Sequence, residues 1–300
     1  MEAAAAIKKI EAATYWQDVF TKKSECKAEY RAYSLLLHPD RCKLKGTEEA
    51  FKKVTEFRDA IENSYEFKDD VGTVKYSDFS ITIEPTPGNE ALLQRSLENY
   101  EKLINLKDSA SLHFRKYLPA KAEFKDGKLT FINDMRVVSL NDLSMPLDHA
   151  RWVLSRLLEF SAWLNEVGFV HAGINPTSIF IIPETHGIIC TSFYHMQKIG
   201  TSLSGKTISA NYVSWYPSYI FDKTSKPKAD GSIDIELAKR TMVYLLGDKS
   251  GNGIVLKKNH EIGLINYLTS YKRENLKAYE EYVELIHNLY GKPSWREYVI

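Results

Sequence analysis

The residue pattern of this chain changes between about residues 64 and 72, and this change constrains the fold more than any other feature. Residues 3–63 are almost all compatible with helices, apart from one break between His38 and Gly46. From Val71 to Pro87 the sequence alternates and is rich in β-branched residues, as in segment 79–83, which is typical of β-strands. A chain of 300 residues also exceeds one typical domain. We therefore predict an all-α domain at 1–68 and a second domain, with strands and helices, at 69–300.

Two amphipathic segments flank the break in the helical region. The segment before the break carries apolar side chains at helical spacing: Cys26, Tyr30, Tyr33 and Leu37. The segment after it carries a second such set: Phe51, Val54, Phe57 and Ile61. Pro39 ends the first helix, and Thr47 offers an entry to the next. The sequence thus predicts an antiparallel helical hairpin whose tight connection contains His38-Pro39-Asp40.

This hairpin and its tripeptide resemble a J-domain, the module of DnaJ-like co-chaperones. The family places an aromatic residue eight positions before the histidine, where Tyr30 stands. It places a phenylalanine followed by lysine about thirteen positions after the histidine, where Phe51-Lys52 stand. The resemblance covers about residues 10–65. It departs from the family in a shortened turn after the first helix and in Arg58, which occupies a commonly aromatic position.

The resemblance implies a partner and the residues that bind it. Family members bind the ATPase domain of a DnaK-type chaperone through the tripeptide loop and a basic face of the second helix, and they stimulate its ATP hydrolysis. By position, the implied partner-binding residues are His38, Pro39, Asp40, Lys23, Lys27, Arg31 and Arg41. Their positive charge would steer the domain to an acidic partner surface, with Lys43 and Lys45 extending the basic loop.

Residues 170–181 resemble the catalytic loop of a protein kinase. In an active kinase the loop histidine is followed two residues later by the catalytic aspartate, and five residues after that by a magnesium-binding asparagine. This chain keeps His171 and Pro176. It has Gly173 at the aspartate position and Ser178 at the asparagine position.

Three later segments continue the kinase resemblance in the same order. Residues 190–194 stand where the magnesium-binding Asp-Phe-Gly triplet is expected; Phe193 can be its middle residue, but no aspartate occurs from 185 to 221. Residues 215–220 resemble the Ala-Pro-Glu segment, with Tyr219 in place of the glutamate. Residues 232–237 resemble the start of the central helix, where Asp234 matches an aspartate that braces the catalytic loop. The resemblance spans about 71–295.

The kinase resemblance implies an inactive domain. The residues that serve the fold, His171, Pro176 and Asp234, are kept, whereas those that contact ATP, metal or the accepting hydroxyl are missing. Losing the base and two metal ligands should remove several kcal/mol of transition-state stabilisation, because phosphoryl transfer depends on positioned charge. No glycine-rich phosphate loop is found, and the spacing of Lys75 gives poor support for an ATP-site lysine that would pair with Glu98. The expected fold class is α+β: the all-α J-domain hairpin, then a small β-containing lobe and a mostly helical lobe.

Composition excludes several other classes. Lysine plus arginine number 40 against 39 aspartates and glutamates, a balance that argues against a nucleic-acid partner. The three cysteines form no CxxC pair and the histidines show no metal-ligand spacing, so we expect no metal, cofactor or disulfide scaffold. Apolar runs are too short to span a bilayer, and the N-terminus reads as a helix start, not a signal peptide. We expect no membrane partner and a cytoplasmic location, the host cytoplasm if the protein is viral.

We hypothesise a co-chaperone in which a J-domain engages a DnaK-type chaperone and a catalytically inactive kinase-like domain binds an unknown protein client. Three alternatives stay open. The chain could be an atypical active kinase that uses relocated acidic residues. It could be a structural or assembly protein with a vestigial J-like hairpin. It could also be a decoy that captures the chaperone of a host.

Overall fold

The chain forms two compact units, Met1–Tyr65 with Tyr76–Asp78 (unit 1) and Glu66–Lys75 with Phe79–Ile300 (unit 2). A computed structural model describes residues 2–13, 18–20, 25–62, 65–203, 208–222, 224, 226–272 and 277–292, with 60–62 as backbone.

Unit 1 contains three helices: α1 (Ala3–Ala12), α2 (Cys26–Leu37) and α3 (Thr47–Glu62). Helices α2 and α3 pack against each other, and α1 packs against both. The predicted entry to α3 is confirmed, since that helix begins at Thr47. The side chain of Lys53 on α3 ties α1 to this hairpin, because its Nζ donates to the carbonyl of Glu11 at 3.0 Å.

The predicted apolar faces form the core of unit 1. Cys26, Tyr33 and Leu37 of α2 are buried, as is Val54 of α3, while Tyr30, Phe51 and Phe57 pack against them partly buried. Helix α1 contributes Ala6, Ile7 and Ile10. The side chain of Ile61, predicted to belong to the same face, lies outside the described residues. The hydrophobic effect of closing these faces on one another is what holds three short helices together.

Arg58, which departs from the family pattern, packs on an aromatic ring. Its guanidinium lies 4.5 Å from the centroid of Tyr30 on α2. A cation over an aromatic face contributes about 0.5–1 kcal/mol at an exposed site. Arg58 therefore links α3 to α2 from a position where the family commonly has an aromatic side chain.

Unit 2 is built around antiparallel sheets and a set of longer helices. The strands are β1 (Tyr65–Lys68), β2 (Gly72–Ser77), β3 (Ser80–Pro85), β4 (Lys121–Lys125), β5 (Lys128–Ile132), β6 (Val138–Ser139), β7 (Phe169–Val170), β8 (Ile179–Ile182), β9 (Gly187–Cys190) and β10 (Gln197–Lys198). The helices are α4 (Glu90–Ile104), α5 (Ser109–Phe114), α6 (Leu147–Glu166), α7 (Ser232–Leu245), α8 (Ile262–Thr269) and α9 (Ala278–Tyr290).

The first sheet has five strands in the order β1-β2-β3-β5-β4. The predicted hairpin at Asp126-Gly127 joins β4 to β5, and both residues have positive φ, 51° and 75°, as a two-residue hairpin turn requires. One face of the sheet is fully buried and is formed by Ile81, Ile83, Leu129 and Phe131. Helix α4 packs on this lobe, with Tyr100 in edge contact with Phe131 at 5.9 Å between ring centroids.

The helical lobe contains the rest of unit 2. Helix α6 packs against α7 and α9, and α8 packs against α7 and α9. The hairpin β8–β9, extended by β6, forms a three-stranded sheet, and β7 pairs with β10. These short strands hold the segment 171–178 between them. The predicted combination of a small β-containing lobe and a mostly helical lobe is confirmed.

Two sequence-based expectations for unit 2 are wrong, one about the first strands and one about α9. Strand β1 is an additional strand ahead of segment 71–84, where we expected the early strands. Lys75, whose spacing gave poor support for a pair with Glu98, pairs with Glu84 on the neighbouring strand, at 2.7 Å between Nζ and Oε2. In α9, Tyr282 and Ile286 are buried as predicted, but Val283 is 45% exposed. Leu276, predicted to lie on the same face, is outside the described residues.

Within the described ranges, no helix is both long and apolar enough to cross a bilayer. The three cysteines, Cys26, Cys42 and Cys190, form no disulfide.

Candidate functional site

The His38-Pro39-Asp40 loop is displayed at the end of the α2–α3 hairpin. Pro39 favours an extended conformation in the residue before it, and His38 has φ −61° and ψ 127°, so α2 ends there. The side chains of His38 and Asp40 are 47% and 86% exposed. The amide of Asp40 donates to His38 Nδ1 at 3.2 Å, and the ring of His38 contacts Phe51 edge-on at 5.8 Å. The loop is therefore held in shape from inside unit 1 while its polar groups face outward.

Basic side chains are exposed on α2 and in this loop. Lys27 and Arg31 are exposed and one helical turn apart on α2, and Arg41 is exposed in the loop itself. None of these three cations forms an ion pair with another residue in the described part of the chain. Lys23, predicted to begin the same face, lies outside the described residues. The structure thus places Lys27, Arg31, Arg41 and the tripeptide on the outside of unit 1.

In unit 2, Asp234 holds the backbone of the segment 171–178. Its carboxylate oxygens accept from the amides of His171 at 2.7 Å and Ala172 at 2.8 Å, and Ala172 has a left-handed φ of 55°. Burial raises the pKa of Asp234 to about 7 despite these two hydrogen bonds. Burial also lowers the pKa of His171 to about 4, so the ring is neutral and Nε2 donates to the carbonyl of Thr191 at 2.8 Å.

The polar side chains of segment 171–178 form hydrogen bonds within the segment. Ser178 Oγ donates to the carbonyl of Gly173 at 2.7 Å, and Asn175 Nδ2 donates to the same carbonyl at 3.0 Å. Asn175 Oδ1 accepts from both the amide and the hydroxyl of Thr177. Ser178 and Asn175 are at most 2% exposed. The side chains of Ser178 and Asn175 are therefore hydrogen-bonded inside the loop and buried.

His195 fills the space next to Gly173. A Cβ atom added to Gly173 would lie 2.7 Å from Cδ2 of His195 and 3.1 Å from its Cβ. Such distances are closer than carbon atoms normally approach. Gly173 therefore provides no acid or base, and a side chain there requires His195 to move.

His195 is in turn held by the turn between β1 and β2. Its Nε2 lies 3.2 Å from Oδ2 of Asp70, and both side chains are only 6% exposed. The amide of Asn211 donates to Oδ1 of Asp70 at 2.9 Å. In the residue before Asp70, Asp69 Oδ2 accepts from Tyr194 OH at 3.0 Å and Oδ1 accepts from the amides of Val71 and Gly72. We call Asp69, Asp70, Tyr194 and His195 the closing cluster.

The pKa values of the two carboxyl groups of the closing cluster shift in opposite directions. Burial raises the pKa of Asp69 and outweighs the hydrogen bonds that it accepts. Burial also acts to raise the pKa of Asp70, but hydrogen bonds from His195, Ser209 and Asn211 outweigh it and lower the pKa below the ordinary value. Asp70 is thus the charged member of the cluster.

Sequence reasoning missed the closing cluster. Asp69 and Asp70 stand at the predicted domain boundary, and their only sequence signal is two adjacent acids before the strand that begins at Gly72. Tyr194 stands at the last position of the triplet and His195 follows it, and neither was given a functional role. Their partners lie 125 residues away in the chain, a separation that no local pattern encodes.

Gly173 and Ser178 stand where the resemblance to the kinase loop leads us to expect an aspartate and an asparagine. Across the residues that the structure describes, no group of three histidine, cysteine or acidic side chains could hold a metal ion. What the arrangement can do is keep the loop and the turn at Asp69-Asp70 together.

We expect Gly173→Ala to destabilise unit 2 by about 1–3 kcal/mol, the usual cost of overpacking a filled site. The cause is the 2.7 Å approach of the new methyl group to the His195 ring. Urea unfolding measures the effect. Gly263→Ala in α8 is the matched control, because its Cβ would meet only leucine methyl groups at 3.7 Å or more. It should be neutral or stabilising, since alanine is the better helix former. An equal loss in both variants would contradict the close contact.

The sequence matches no known family model and no curated protein sequence. Among solved structures, the structure of vaccinia related kinase 3 is similar, with 13% sequence identity and a TM-score of 0.49. The similarity covers 77% of this chain and 87% of that one. A likeness of this extent assigns no function to the present chain.

Proposed function

We propose that this protein is a co-chaperone whose unit 1 is a J-domain that binds a DnaK-type chaperone and stimulates its ATPase. The observation that carries the proposal is the exposed His38-Pro39-Asp40 loop, with Lys27 and Arg31 exposed on the helix that precedes it. Phe51 contacts the ring of His38 and helps to fix the loop, while the side chains of His38 and Asp40 stay exposed. An exposed, preformed basic surface suits a partner of acidic charge, since complementary potential increases the rate of encounter.

We further propose that unit 2 is kinase-like and catalytically inactive, and that it serves as a platform for a protein client. The bracing of segment 171–178 by Asp234 supports the kinase-like assignment. Gly173 under His195 and the closing cluster support inactivity, because they put packed side chains where a base would act. The same features count against an atypical active kinase. On this proposal the partner hydrolyses ATP in the cytoplasm, the host cytoplasm if the protein is viral.

The proposal predicts that His38→Gln abolishes stimulation. The steady-state ATPase of a DnaK-type chaperone is measured with the full-length protein, and we expect stimulation by the wild type and the basal rate with His38→Gln. Glutamine removes the ring that shapes the loop, but it leaves the core of unit 1 intact. His113→Gln is the matched control: it makes the same change at an exposed histidine in α5 and should stimulate like the wild type.

Charge reversal separates the basic face from the loop. Lys27→Glu should reduce stimulation, and Lys8→Glu, an equal change at an exposed position on α1, should not. Equal stimulation by wild type and His38→Gln would contradict the J-domain assignment. So would no stimulation by a folded wild type across several DnaK-type chaperones, which would favour a structural protein with a J-like hairpin. Capture of the chaperone without stimulation would favour a decoy.

A further inference from the structure

Two neighbouring apolar side chains are exposed in the connection between α7 and α8. Ile254 is 65% exposed and Val255 is 61% exposed. Isolated apolar residues are ordinary on a protein surface, whereas adjacent ones that a rigid loop keeps exposed indicate an interaction site. We call residues 248–258 the Ile254 loop.

The Ile254 loop is fixed by a buried carboxylate and by a side-chain amide. Asp248 is buried, and its Oδ2 accepts from the backbone amide of Val255 at 3.2 Å. Its Oδ1 accepts from the hydroxyl of Ser250 at 2.5 Å. Asn252 Oδ1 accepts from the backbone amide of Ile254 at 2.9 Å. The backbone amides of both exposed apolar residues are therefore held by side chains of the loop.

The same loop fits closely against the helical lobe. Arg240 Nη1 donates to the carbonyl of Gly251 at 2.9 Å. Gly251 and Gly253 have left-handed φ values of 74° and 78°. A Cβ atom added to them would lie 2.6 Å from the Trp215 ring and 2.6 Å from Cγ2 of Thr269, respectively. The loop is thus preformed, and it presents the apolar pair to solvent in one conformation.

A short 3₁₀ turn after Ile254 sets the direction of the side chains. Side chains three residues apart in such a turn lie one above the other, so Val255 shares a side with Lys258. Ile254 precedes the turn with helical φ −64° and ψ −43°, and it shares a side with Lys257. Leu256 is buried and anchors the turn. The turn therefore has an apolar end and a basic end, separated by about 6 Å along its axis.

The two lysines are available to an external anion. Both Lys257 and Lys258 are exposed, and neither belongs to an ion pair within the part of the chain that the structure describes. Their aliphatic stems can follow an apolar surface while the ammonium groups stay in water. A matching partner therefore offers an apolar layer with negative charge a few Å above it.

We propose that the Ile254 loop binds the surface of an anionic lipid bilayer. Ile254 and Val255 would enter the boundary between headgroups and acyl chains, which lies about 5–10 Å deep for interfacial segments. The basic end would then lie at the level of the anionic headgroups. Each lysine near such a surface strengthens binding by about fivefold. A protein partner fits less well, because stable protein interfaces use about 20–30 residues a side.

This proposal replaces the sequence-based expectation of no membrane partner. That expectation rested on apolar runs too short to span a bilayer. Attachment at the surface requires no such run, since two apolar side chains and nearby cations give weak, reversible binding.

The test is co-sedimentation of the full-length protein with vesicles. We expect binding to vesicles of equal parts phosphatidylserine and phosphatidylcholine, little binding to pure phosphatidylcholine, and weaker binding as salt increases. Val255→Ser should weaken binding by at least about fivefold. Val283→Ser, the same change at an exposed valine of α9, is the matched control and should bind like the wild type.

The basic end is tested by charge removal. Lys257→Gln combined with Lys258→Gln should weaken binding to the anionic vesicles by at least about tenfold. Lys121→Gln combined with Lys125→Gln, at two exposed lysines of β4, is the matched control. Lys27→Glu on unit 1 should bind these vesicles like the wild type, which separates the Ile254 loop from the basic face of α2.

Three outcomes overturn the proposal. Equal binding to neutral and anionic vesicles would contradict the role of the lysines. Unchanged binding by Val255→Ser would contradict insertion of the apolar end. No binding of the folded wild type to either vesicle would leave the Ile254 loop to a protein partner. None of these results depends on whether unit 1 stimulates a chaperone.

Discussion

Asp234→Ala is expected to destabilise unit 2 by about 2–6 kcal/mol, because it leaves two buried backbone amides without an acceptor at about 1–3 kcal/mol each. Those amides belong to His171 and Ala172, and no other acceptor is bonded to them within the described residues. The side chain itself is 1% exposed, so water does not simply replace the carboxylate. A loss of this size is a large fraction of the stability of an ordinary domain.

Urea unfolding followed by tryptophan fluorescence measures this loss. Trp152, Trp163 and Trp215 all belong to unit 2, so the signal reports mainly on that unit. The control is Glu98→Ala, which removes an exposed carboxylate on α4 and should change the free energy of unfolding by no more than about 0.5 kcal/mol. If Asp234→Ala is as stable as Glu98→Ala, the bracing role of Asp234 is wrong.

The contribution of Asp234 to the free energy of unfolding should change with pH in a defined direction. The pKa of Asp234 is about 7 in the folded protein, against an ordinary value of 3.8. Between these two values the folded state binds more protons than the unfolded state, so this group makes the free energy of unfolding fall as the pH rises. The stability difference between wild type and Asp234→Asn, which cannot titrate, should therefore shrink from pH 5 to pH 7. A difference that grows over this range would contradict the raised pKa.

The second large effect that we expect is the loss of stability when the contact between Asp70 and His195 is removed. Asp70→Ala should destabilise unit 2 by about 1–3 kcal/mol, because His195 and the amide of Asn211 lose a buried acceptor. In a double-mutant cycle with His195→Ala, the coupling energy should lie in the upper part of the range of about 0.5–3 kcal/mol found for contacting residues. Both side chains are 6% exposed, so solvent screens the pair little.

The control cycle uses Lys272 and Glu281, an ion pair whose side chains are 62% and 37% exposed. Pairs of this kind contribute about 0–1 kcal/mol. The Asp70 contribution also depends on pH with a fixed sign. Because its folded pKa lies below the ordinary 3.8, the contribution is complete above that value and is lost as the pH falls through the folded pKa. A coupling energy no larger than that of the control pair would show that Asp70 and His195 do not hold the cluster closed.

Much of unit 1 could be predicted from sequence because its interactions are local. The faces of α2 and α3 follow the 3.6-residue period, and the break between them is marked by Pro39. The packing of Arg58 on Tyr30 was not predicted, since the periodicity of one helix does not say which side chain of its neighbour it meets.

In unit 2 the sequence predicted individual residues of interest better than it predicted their contacts. It indicated Asp234 and Gly173, because their spacing from His171 resembles that of a kinase. It did not identify Glu84 as the partner of Lys75, because that pair depends on which strands are neighbours. It failed for Val283, because α9 packs along a narrower face than its apolar residues suggested.

The sequence by itself determined where most of the helices and strands lie, and which residues form the His38-Pro39-Asp40 loop. Both depend on residue type and on spacing between residues that are close together in the chain. Only the tertiary structure decided that the His195 ring occupies the space next to Gly173 and that Asp70 holds this ring in place. These contacts join residues far apart in the chain, and burial requires that the polar groups in them be paired.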